Sequence, residues 1–190
     1  MKRVFLALNL PEKIKEELLN FQKLWPTLPC KWVKKENLHI TLLFLGNLNE
    51  TQLKELQKKA QEIALQFSPF FVFLEKITYG PKIKKPRMVW VKVKREENLL
   101  KLEKKLKEEI FALPSFKYKQ KEEREFLPHI TLARLKSWEF QRLDPQERPE
   151  IKEDLSLKFE ARSFEIMESK LKRGGAEYFI LESFGFKNLA

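Results

Sequence analysis

The sequence predicts an α+β fold that is bilobal and duplicated about a pseudo-twofold axis, with two antiparallel sheets lining a central cleft and helices outside. Two observations support this prediction. Both of the protein's histidines lie in the tetrapeptide His-Ile-Thr-Leu, at residues 39–42 and again at residues 129–132. The order strand, helix, His-x-Thr strand also occurs twice, as judged from hydrophobic periodicity. We interpret the chain as one domain of residues 1–190 with lobes of about 1–80 and 87–190, and exchange of terminal strands between the lobes stays open.

The elements of the first copy follow from their hydrophobic patterns. Residues 4–10 are apolar and predict a strand, whereas residues 11–25 carry apolar side chains at near-helical spacing. The first His-x-Thr strand is predicted over about residues 38–45, with its end at Gly46 and Asn47. A second amphipathic helix follows, with apolar side chains at Leu53, Leu56, Ala60 and Ile63.

Residues 70–78 predict a further strand at the end of the first copy, and a basic loop at residues 80–87 leads into a strand at residues 88–93, where the second copy begins to repeat this order. The helix that follows ends before Pro114, and the second His-x-Thr strand is predicted over residues 127–134. The apolar stripe of that helix consists of Leu99, Leu102, Leu106 and Ile110.

The remainder of the chain predicts a loop and a hairpin. Residues 139–153 are rich in charge and proline, which is typical of a surface loop. Residues 157–169 and 177–186 alternate as strands around a hairpin-like turn at Lys172-Arg173-Gly174-Gly175. These strands are predicted to complete a sheet.

Composition narrows the function classes. The 38 Lys and Arg residues outnumber the 27 Asp and Glu residues, and the net charge of +11 would attract a polyanion such as RNA. A Lys- and Glu-rich solvated surface explains the charge equally well. The single cysteine, Cys30, excludes an intramolecular disulfide and favours a packing role in a reducing cytoplasm. No apolar run approaches the roughly 20 residues of a membrane-spanning helix.

Each His-x-Thr motif pairs an imidazole with a hydroxyl on one side of a strand. Side chains at i and i+2 share a face, so His39 points with Thr41 and His129 points with Thr131. Two imidazoles can supply an acid and a base near neutral pH, and two hydroxyls can donate to phosphate oxygens. This set suits phosphoester chemistry and needs no metal. Two histidines and one cysteine give no familiar nitrogen/sulfur metal site, although an all-carboxylate site stays open.

The chain resembles the RNA 2′,3′-cyclic phosphodiesterases, also called 2′-5′ RNA ligases, of the two-histidine phosphoesterase superfamily. The resemblance covers nearly the whole length and is specific because the His-x-Thr motif is duplicated. The segments that carry it are Arg3-Val4-Phe5-Leu6-Ala7-Leu8, Glu36-Asn37-Leu38-His39-Ile40-Thr41-Leu42-Leu43-Phe44-Leu45-Gly46, Pro86-Arg87-Met88-Val89-Trp90-Val91 and Phe126-Leu127-Pro128-His129-Ile130-Thr131-Leu132-Ala133-Arg134. The closing residues Glu168-Ser169-Lys170-Leu171, Gly175 and Tyr178 are also similar to the family's closing motif.

The resemblance implies a role for each motif residue. His39 corresponds to the proton donor and His129 to the proton acceptor, while Thr41 and Thr131 hold the phosphate. The residues themselves do not assign the two proton roles, because the motifs are identical. The family also implicates Arg134 in phosphate binding. Strict alternation places Arg134 on the face opposite His129, so it reaches the site only if the strand ends or bulges there.

We therefore predict a metal-independent, cofactor-free phosphodiesterase that opens the 2′,3′-cyclic phosphate at an RNA end to a 2′-phosphate. Three alternatives stay open: the reverse reaction, an ATP-independent 2′-5′ RNA ligation; a small cyclic nucleotide as substrate; and a non-catalytic RNA-binding module. No partner protein is required, and a cytoplasmic monomer without membrane contact is expected. The sequence does not identify the physiological RNA.

Candidate RNA contacts lie in a basic loop, in a turn and among aromatic residues. Basic side chains could follow the phosphate backbone, and aromatic rings could stack on a terminal base. The candidates are Lys82, Lys84, Lys85 and Arg87 in the loop, Lys172 and Arg173 in the turn, and the aromatic residues Trp90, Phe44 and Phe126.

Overall fold

The computed structural model describes residues 1–117, 125–173 and 175–187. These residues form nine strands, four α-helices and one short 3₁₀ helix (Lys35–Asn37), which confirms the predicted α+β class. The strands are β1 (Lys2–Asn9), β2 (Cys30–Trp32), β3 (His39–Leu48), β4 (Phe70–Gly80), β5 (Met88–Val93), β6 (His129–Leu135), β7 (Lys152–Ala161), β8 (Ser163–Lys172) and β9 (Gly175–Gly185). The helices are α1 (Glu12–Gln22), α2 (Glu50–Ala64), α3 (Glu97–Phe111) and α4 (Ser137–Arg142).

The strands form two antiparallel halves that meet at the His-x-Thr strands. Their order is β7-β4-β5-β6-β3-β1-β8-β9, with β2 paired to β6. The halves join where Ile40 of β3 pairs with Ile130 of β6. The β3 half contains β3, β1, β8 and β9, and the β6 half contains β6, β5, β4 and β7. Each half draws strands from both copies of the repeat, and we propose that these halves are the two lobes.

One face of the sheet packs against the helices and forms the main core. Leu6 of β1, Ile40 of β3 and Ile130 of β6 are each 0% exposed on this core face. The predicted helix stripes face them, because Leu56, Ala60 and Ile63 of α2 and Leu99, Leu102, Leu106 and Ile110 of α3 are fully buried. The opposite face, called the site face below, carries both histidines.

The first His-x-Thr strand does not end at Gly46, so that boundary was wrong. Strand β3 continues to Leu48, and Gly46 adopts a positive φ of 72° inside it. Val4 pairs with Gly46 while Phe5 pairs with Phe44, so the chain bulges there instead of turning away. Glycine tolerates this backbone conformation because it has no Cβ.

Two predictions for the C-terminal part also need correction. Residues 139–153 are not entirely loop, because α4 reaches Arg142 and β7 begins at Lys152. Residues 157–169 are not one strand. The chain breaks at Arg162, because β7 pairs with β4 in one half and β8 pairs with β1 in the other. The β8–β9 hairpin is confirmed by its pairing, and Gly174 of its turn lies outside the described residues.

The start of the basic loop is fixed by a close approach between Gly80 and Trp90. A Cβ at Gly80 would collide with Cδ2 of the Trp90 indole, far inside contact distance. Trp90 is 7% exposed, and in the cross-strand register it pairs with Thr78 of β4 and Thr131 of β6. The indole therefore occupies the space that a side chain at residue 80 would need.

We expect Gly80→Ala to destabilise the protein by about 1–3 kcal/mol, because the new methyl group collides with a buried indole. Gly185→Ala is the matched control, since nothing lies within 4 Å of its added Cβ. Urea unfolding followed by tryptophan fluorescence measures both changes. Equal unfolding free energies for the two variants would contradict the packing described here.

Candidate active site

The four motif side chains come together at the junction of the two halves. Strands β3 and β6 are antiparallel and pair at Ile40 and Ile130, so His39 lies on the side of Thr131 and Thr41 on the side of His129. The flanking isoleucines face the core, which directs the four motif side chains to the site face. The prediction that both motifs contribute to one site therefore has a structural basis in this single strand pair.

The two histidines are held by equivalent hydrogen bonds. Nδ1 of His39 donates to the carbonyl oxygen of Asn37 at 2.8 Å, and Nδ1 of His129 donates to that of Leu127 at 2.7 Å. A carbonyl oxygen can only accept, so both neutral rings carry their hydrogen on Nδ1. Each Nε2 is thereby left with a lone pair for proton transfer.

His39 lies in an aromatic setting. Its ring is tilted against Phe5, with centroids 5.0 Å apart, and meets Tyr178 edge to face at 4.9 Å. The Thr41 hydroxyl donates to Nε2 of His39 at 3.0 Å. Burial lowers the pKa of His39 to about 4, and the charges of His129 and Arg134 act in the same direction. His39 is therefore neutral at pH 7 in the free protein.

His129 is held by a different contact. Its ring stacks on the Trp90 indole with centroids 3.7 Å apart and an interplanar angle of 20°. Burial lowers the pKa of His129 below its usual value, and the positive charge of Arg134 lowers it further. The two histidines therefore share one tautomer but differ in their surroundings, which the identical motifs could not reveal.

A bulge follows each motif and changes which side chains reach the site face. Thr131 pairs with Trp90 while Ala133 pairs with Val89, so Leu132 is an extra residue in β6. Leu132 and Ala133 are consecutive and both 0% exposed. The alternation of side chains between the two faces therefore shifts by one residue, and Arg134 lies on the same face as His129. From the sequence, Arg134 is expected to reach the site only if the strand ends or bulges in this way.

The same bulge occurs in the first motif with a different outcome. Leu6 pairs with Leu43 and Ala7 pairs with Thr41, so Leu42 is the extra residue of β3. Phe44 then occupies the position that corresponds to Arg134, and it is 70% exposed. The two halves thus present a guanidinium on one side of the site and an aromatic ring on the other.

Three hydrogen-bond donors converge on Met88 beside the second motif. Its Sδ accepts from Nε1 of Trp90 at 3.4 Å, from Oγ1 of Thr131 at 4.0 Å and from Nη1 of Arg134 at 3.8 Å. A thioether is a weak acceptor. The hydroxyl and the guanidinium would form much stronger hydrogen bonds with the oxygen of an anion.

Most candidate RNA contacts are exposed. The loop side chains Lys82, Lys84, Lys85 and Arg87 are on the surface, as are Lys172 and Arg173 of the hairpin turn. Lys172 also pairs with Glu177 at 2.7 Å. Their contact with RNA stays a proposal.

One of the aromatic candidates must be corrected, and the other two stay candidates. Trp90 cannot stack on a base, because its indole lies between Gly80 and the His129 ring. Phe126 is partly buried and packs against the main core. Of the three candidates, only Phe44 has an exposed ring.

Other features of the described residues bear on the class of site. No three His, Cys, Asp or Glu side chains among them are arranged to hold a metal ion. Cys30 is half-buried, and burial raises the pKa of its thiol to about 11, which fits the packing role. None of the described helices is both long and apolar enough to cross a membrane.

Comparison with known proteins identifies the family. The model of the LigT-like phosphoesterases matches residues 8–90 and 93–178, which together make up most of the chain. The chain belongs to this family. Each matched segment of this chain contains one His-x-Thr motif.

Curated relatives and solved structures agree with this assignment. A protein of Methanocaldococcus jannaschii named RNA 2′,3′-cyclic phosphodiesterase is 33% identical over 95% of this chain and 98% of its own. An Aquifex aeolicus protein of the same name is 32% identical over 81% of this chain and 80% of its own. A crystal structure from Thermus thermophilus matches with a TM-score of 0.85 and 29% identity, covering 99% of this chain and 100% of that one.

Sequence reasoning missed three residues that shape the site. Asn37 holds β9 next to His39: its side chain donates to the Ala176 carbonyl at 3.1 Å and accepts from the Tyr178 amide at 3.1 Å. Met88 accepts weak hydrogen bonds from Trp90, Thr131 and Arg134. Trp90 supports His129 and was given another role. Cross-strand register reveals all three, and no local sequence pattern does.

We expect His39 to make the protein sensitive to acid. The folded state binds a proton on His39 more weakly than the unfolded chain does, so stability falls as the pH drops from about 6.5 toward 4. Lowering the pH from 7 to 4.5 should cost about 2 kcal/mol through this group.

His39→Gln should reduce that pH dependence by the same amount, as measured by urea unfolding at both pH values. Lys104→Gln on the exposed side of α3 is the control and should behave like the wild type. A variant with unchanged acid sensitivity would show that His39 is not buried in its neutral form.

Proposed function

We propose that this protein hydrolyses the 2′,3′-cyclic phosphate at an RNA end to a 2′-phosphomonoester. Membership of the LigT-like phosphoesterases supports a phosphoester substrate, and the curated relatives are named RNA 2′,3′-cyclic phosphodiesterases. The pair of Nδ1 hydrogen bonds supports it most strongly, because both Nε2 atoms are left unprotonated and that of His39 accepts from the Thr41 hydroxyl.

The chemistry needs one proton removed and one delivered. Water attacks the phosphorus opposite O3′, the bond from phosphorus to O3′ breaks, and the phosphate stays on O2′. Nε2 of His129 accepts the proton of the water, and Nε2 of His39, as imidazolium, donates a proton to O3′. Each of these transfers is typically worth about 10²–10⁴ in rate.

Neutral and cationic donors bind the phosphate in this scheme. The hydroxyls of Thr41 and Thr131 lie on both sides of the strand junction, and Arg134 adds the only full positive charge among these groups. Hydrogen bonds to a charged acceptor are worth roughly 1.5–3 kcal/mol each. A bound phosphate also raises the pKa of a neighbouring histidine, because an anion favours the imidazolium. Substrate binding thus helps to charge the proton donor.

Ligation through a 2′-5′ linkage would use the same groups in reverse, so it stays an alternative. An RNA-binding module without catalysis would not need both histidines to be held with an unprotonated Nε2. A cytoplasmic monomer that acts without metal or cofactor completes the proposal, and the single cysteine fits a reducing compartment.

We expect His39→Ala and His129→Ala each to lower kcat by at least about 10², because each removes one proton transfer. The assay is conversion of a short RNA with a 2′,3′-cyclic phosphate end in the presence of EDTA, with the product's phosphate position determined by NMR. Lys104→Gln is the control with intact activity. Loss of wild-type turnover in EDTA, or a variant that keeps most of its kcat, would contradict the mechanism.

The pH profiles should differ between the free and the substrate-bound enzyme. Both histidine pKa values are lowered in the free protein, so the maximum of kcat/KM should lie below about pH 6.5. The bound phosphate raises both values, so the maximum of kcat should lie at higher pH. Coincident profiles would show that phosphate binding does not change the protonation of the histidines.

A further inference from the structure

A row of basic side chains extends from His129 across the β6 half. Lys92 of β5 pairs with His129 in the cross-strand register, and Lys76 of β4 pairs with Lys92. Directly opposite residues of antiparallel strands share a face, so these three side chains are neighbours on the site face. Two lysines directly opposite each other repel, and such a pair is destabilising unless an anion lies nearby.

Neither lysine of this pair forms an ion pair with a carboxylate among the described residues, although Asp154 of β7 is opposite Lys76 in the register. The nearby Lys94, in contrast, pairs with Glu96 at 2.6 Å. Lys92 therefore lies directly beside His129, and Lys76 lies beside Lys92 one strand further away.

Two phenylalanines continue this row. The Nζ of Lys158 lies 5.0 Å from the centroid of the Phe71 ring and 6.0 Å from that of Phe73. The Nζ of Lys94 lies 5.6 Å from the Phe73 centroid. Phe71, near the start of β4, is 49% exposed.

The core residues between these side chains show that they all lie on the site face. Leu74 and Val93 pair with each other and are 2% and 3% exposed on the core face. Phe73 and Lys94 are their immediate neighbours and therefore point the other way. The two rings and the lysines thus form one surface with His129.

We propose that this surface binds the single-stranded RNA that precedes the terminal cyclic phosphate. We call it the β4–β5 platform, and it consists of Phe71, Phe73, Lys76, Lys92, Lys94 and Lys158. The proposal rests on the proposed function, because it places the scissile phosphate at His129. Lys92 and Lys76 contact the backbone phosphates next to the reacting one, and Phe73 and Phe71 stack on bases further from the end.

The chemistry of the platform fits RNA better than an apolar partner. Aromatic rings interleaved with lysines are the usual surface for single strands, since every base has a face that can stack and every linkage carries a charge. The platform is also continuous with the site. An RNA whose terminal phosphate lies at His129 therefore has to place its preceding nucleotides on a surface next to the site. Recognition of this kind depends on length and salt more than on base identity.

The test is the ratio of kcat/KM for a tetranucleotide to that for a mononucleotide, both with 2′,3′-cyclic phosphate ends. The wild type should prefer the tetranucleotide. The double variant Phe71→Leu and Phe73→Leu should lower this ratio about tenfold, in keeping with the usual cost of lost base stacking. Trp138→Leu is the matched control, because Trp138 on α4 is also an exposed aromatic ring beside a basic side chain. Cζ of Arg142 lies 4.3 Å from the centroid of its ring.

The lysines are tested by salt dependence. Lys76→Gln and Lys92→Gln should each reduce the slope of log KM against log salt concentration by about one for the tetranucleotide. Lys104→Gln should leave the slope unchanged. Unfolding curves identify any variant that loses stability. The ratio of kcat/KM for the tetranucleotide to that for the mononucleotide cancels any loss of activity that affects both substrates equally.

Binding of a labelled RNA that ends in a 2′-phosphate, measured by fluorescence anisotropy, separates the platform from catalysis. If the wild type turns over neither substrate yet binds this RNA, and the platform variants do not, the platform holds and the proposed function fails. If turnover occurs with an unchanged length ratio and unchanged RNA binding in the variants, the platform is overturned and the function holds. A wild-type dimer that the phenylalanine variants dissociate, with the length ratio intact, would also overturn it.

Discussion

The site depends on one hydrogen bond that is made twice, from the Nδ1 of a histidine to the carbonyl two residues earlier. It fixes the ring orientation and the tautomer, so Nε2 is the unprotonated nitrogen to which the proposed mechanism assigns proton transfer. The carbonyls belong to Asn37 and Leu127, immediately before β3 and β6. The strand junction at Ile40 and Ile130 then brings the two rings to one place. The active-site geometry follows from these two local contacts and one strand pair.

The bulges after the motifs turn an identical pair of tetrapeptides into an asymmetric site. Each bulge shifts the strand by one residue, so the third residue after the threonine returns to the site face. That residue is Phe44 in one half and Arg134 in the other. The charge of Arg134 acts on both histidines, whereas Phe44 offers an apolar surface. Divergence outside the motifs thus places a charge on one side of the site and an exposed aromatic ring on the other.

The sequence predicted what local patterns encode and missed what register decides. The helix stripes, the motif strands and the shared face of His39 with Thr41 follow from periodicity, and all are present. The separation of β7 from β8 at Arg162 was not predicted, because both segments have the same alternation of apolar and polar residues. They differ only in the half of the sheet to which each strand pairs. Trp90 was predicted to stack on a base. Its burial was not visible in the sequence, because it depends on Gly80 of the neighbouring strand. Arg134 reaches the site face only because of a bulge in β6, and the sequence did not predict whether that bulge is present.

The two-histidine site requires both rings to be neutral at pH 7 with the hydrogen on Nδ1. With two histidines in the protein, a long-range ¹H–¹⁵N correlation spectrum resolves the nitrogens of each ring. We predict that both rings show a protonated Nδ1 and an unprotonated Nε2 at pH 7, and that both Nε2 signals shift when a 2′-nucleotide is added. A ring with its hydrogen on Nε2, or a nucleotide that shifts only one ring, would contradict a two-histidine site built on these hydrogen bonds.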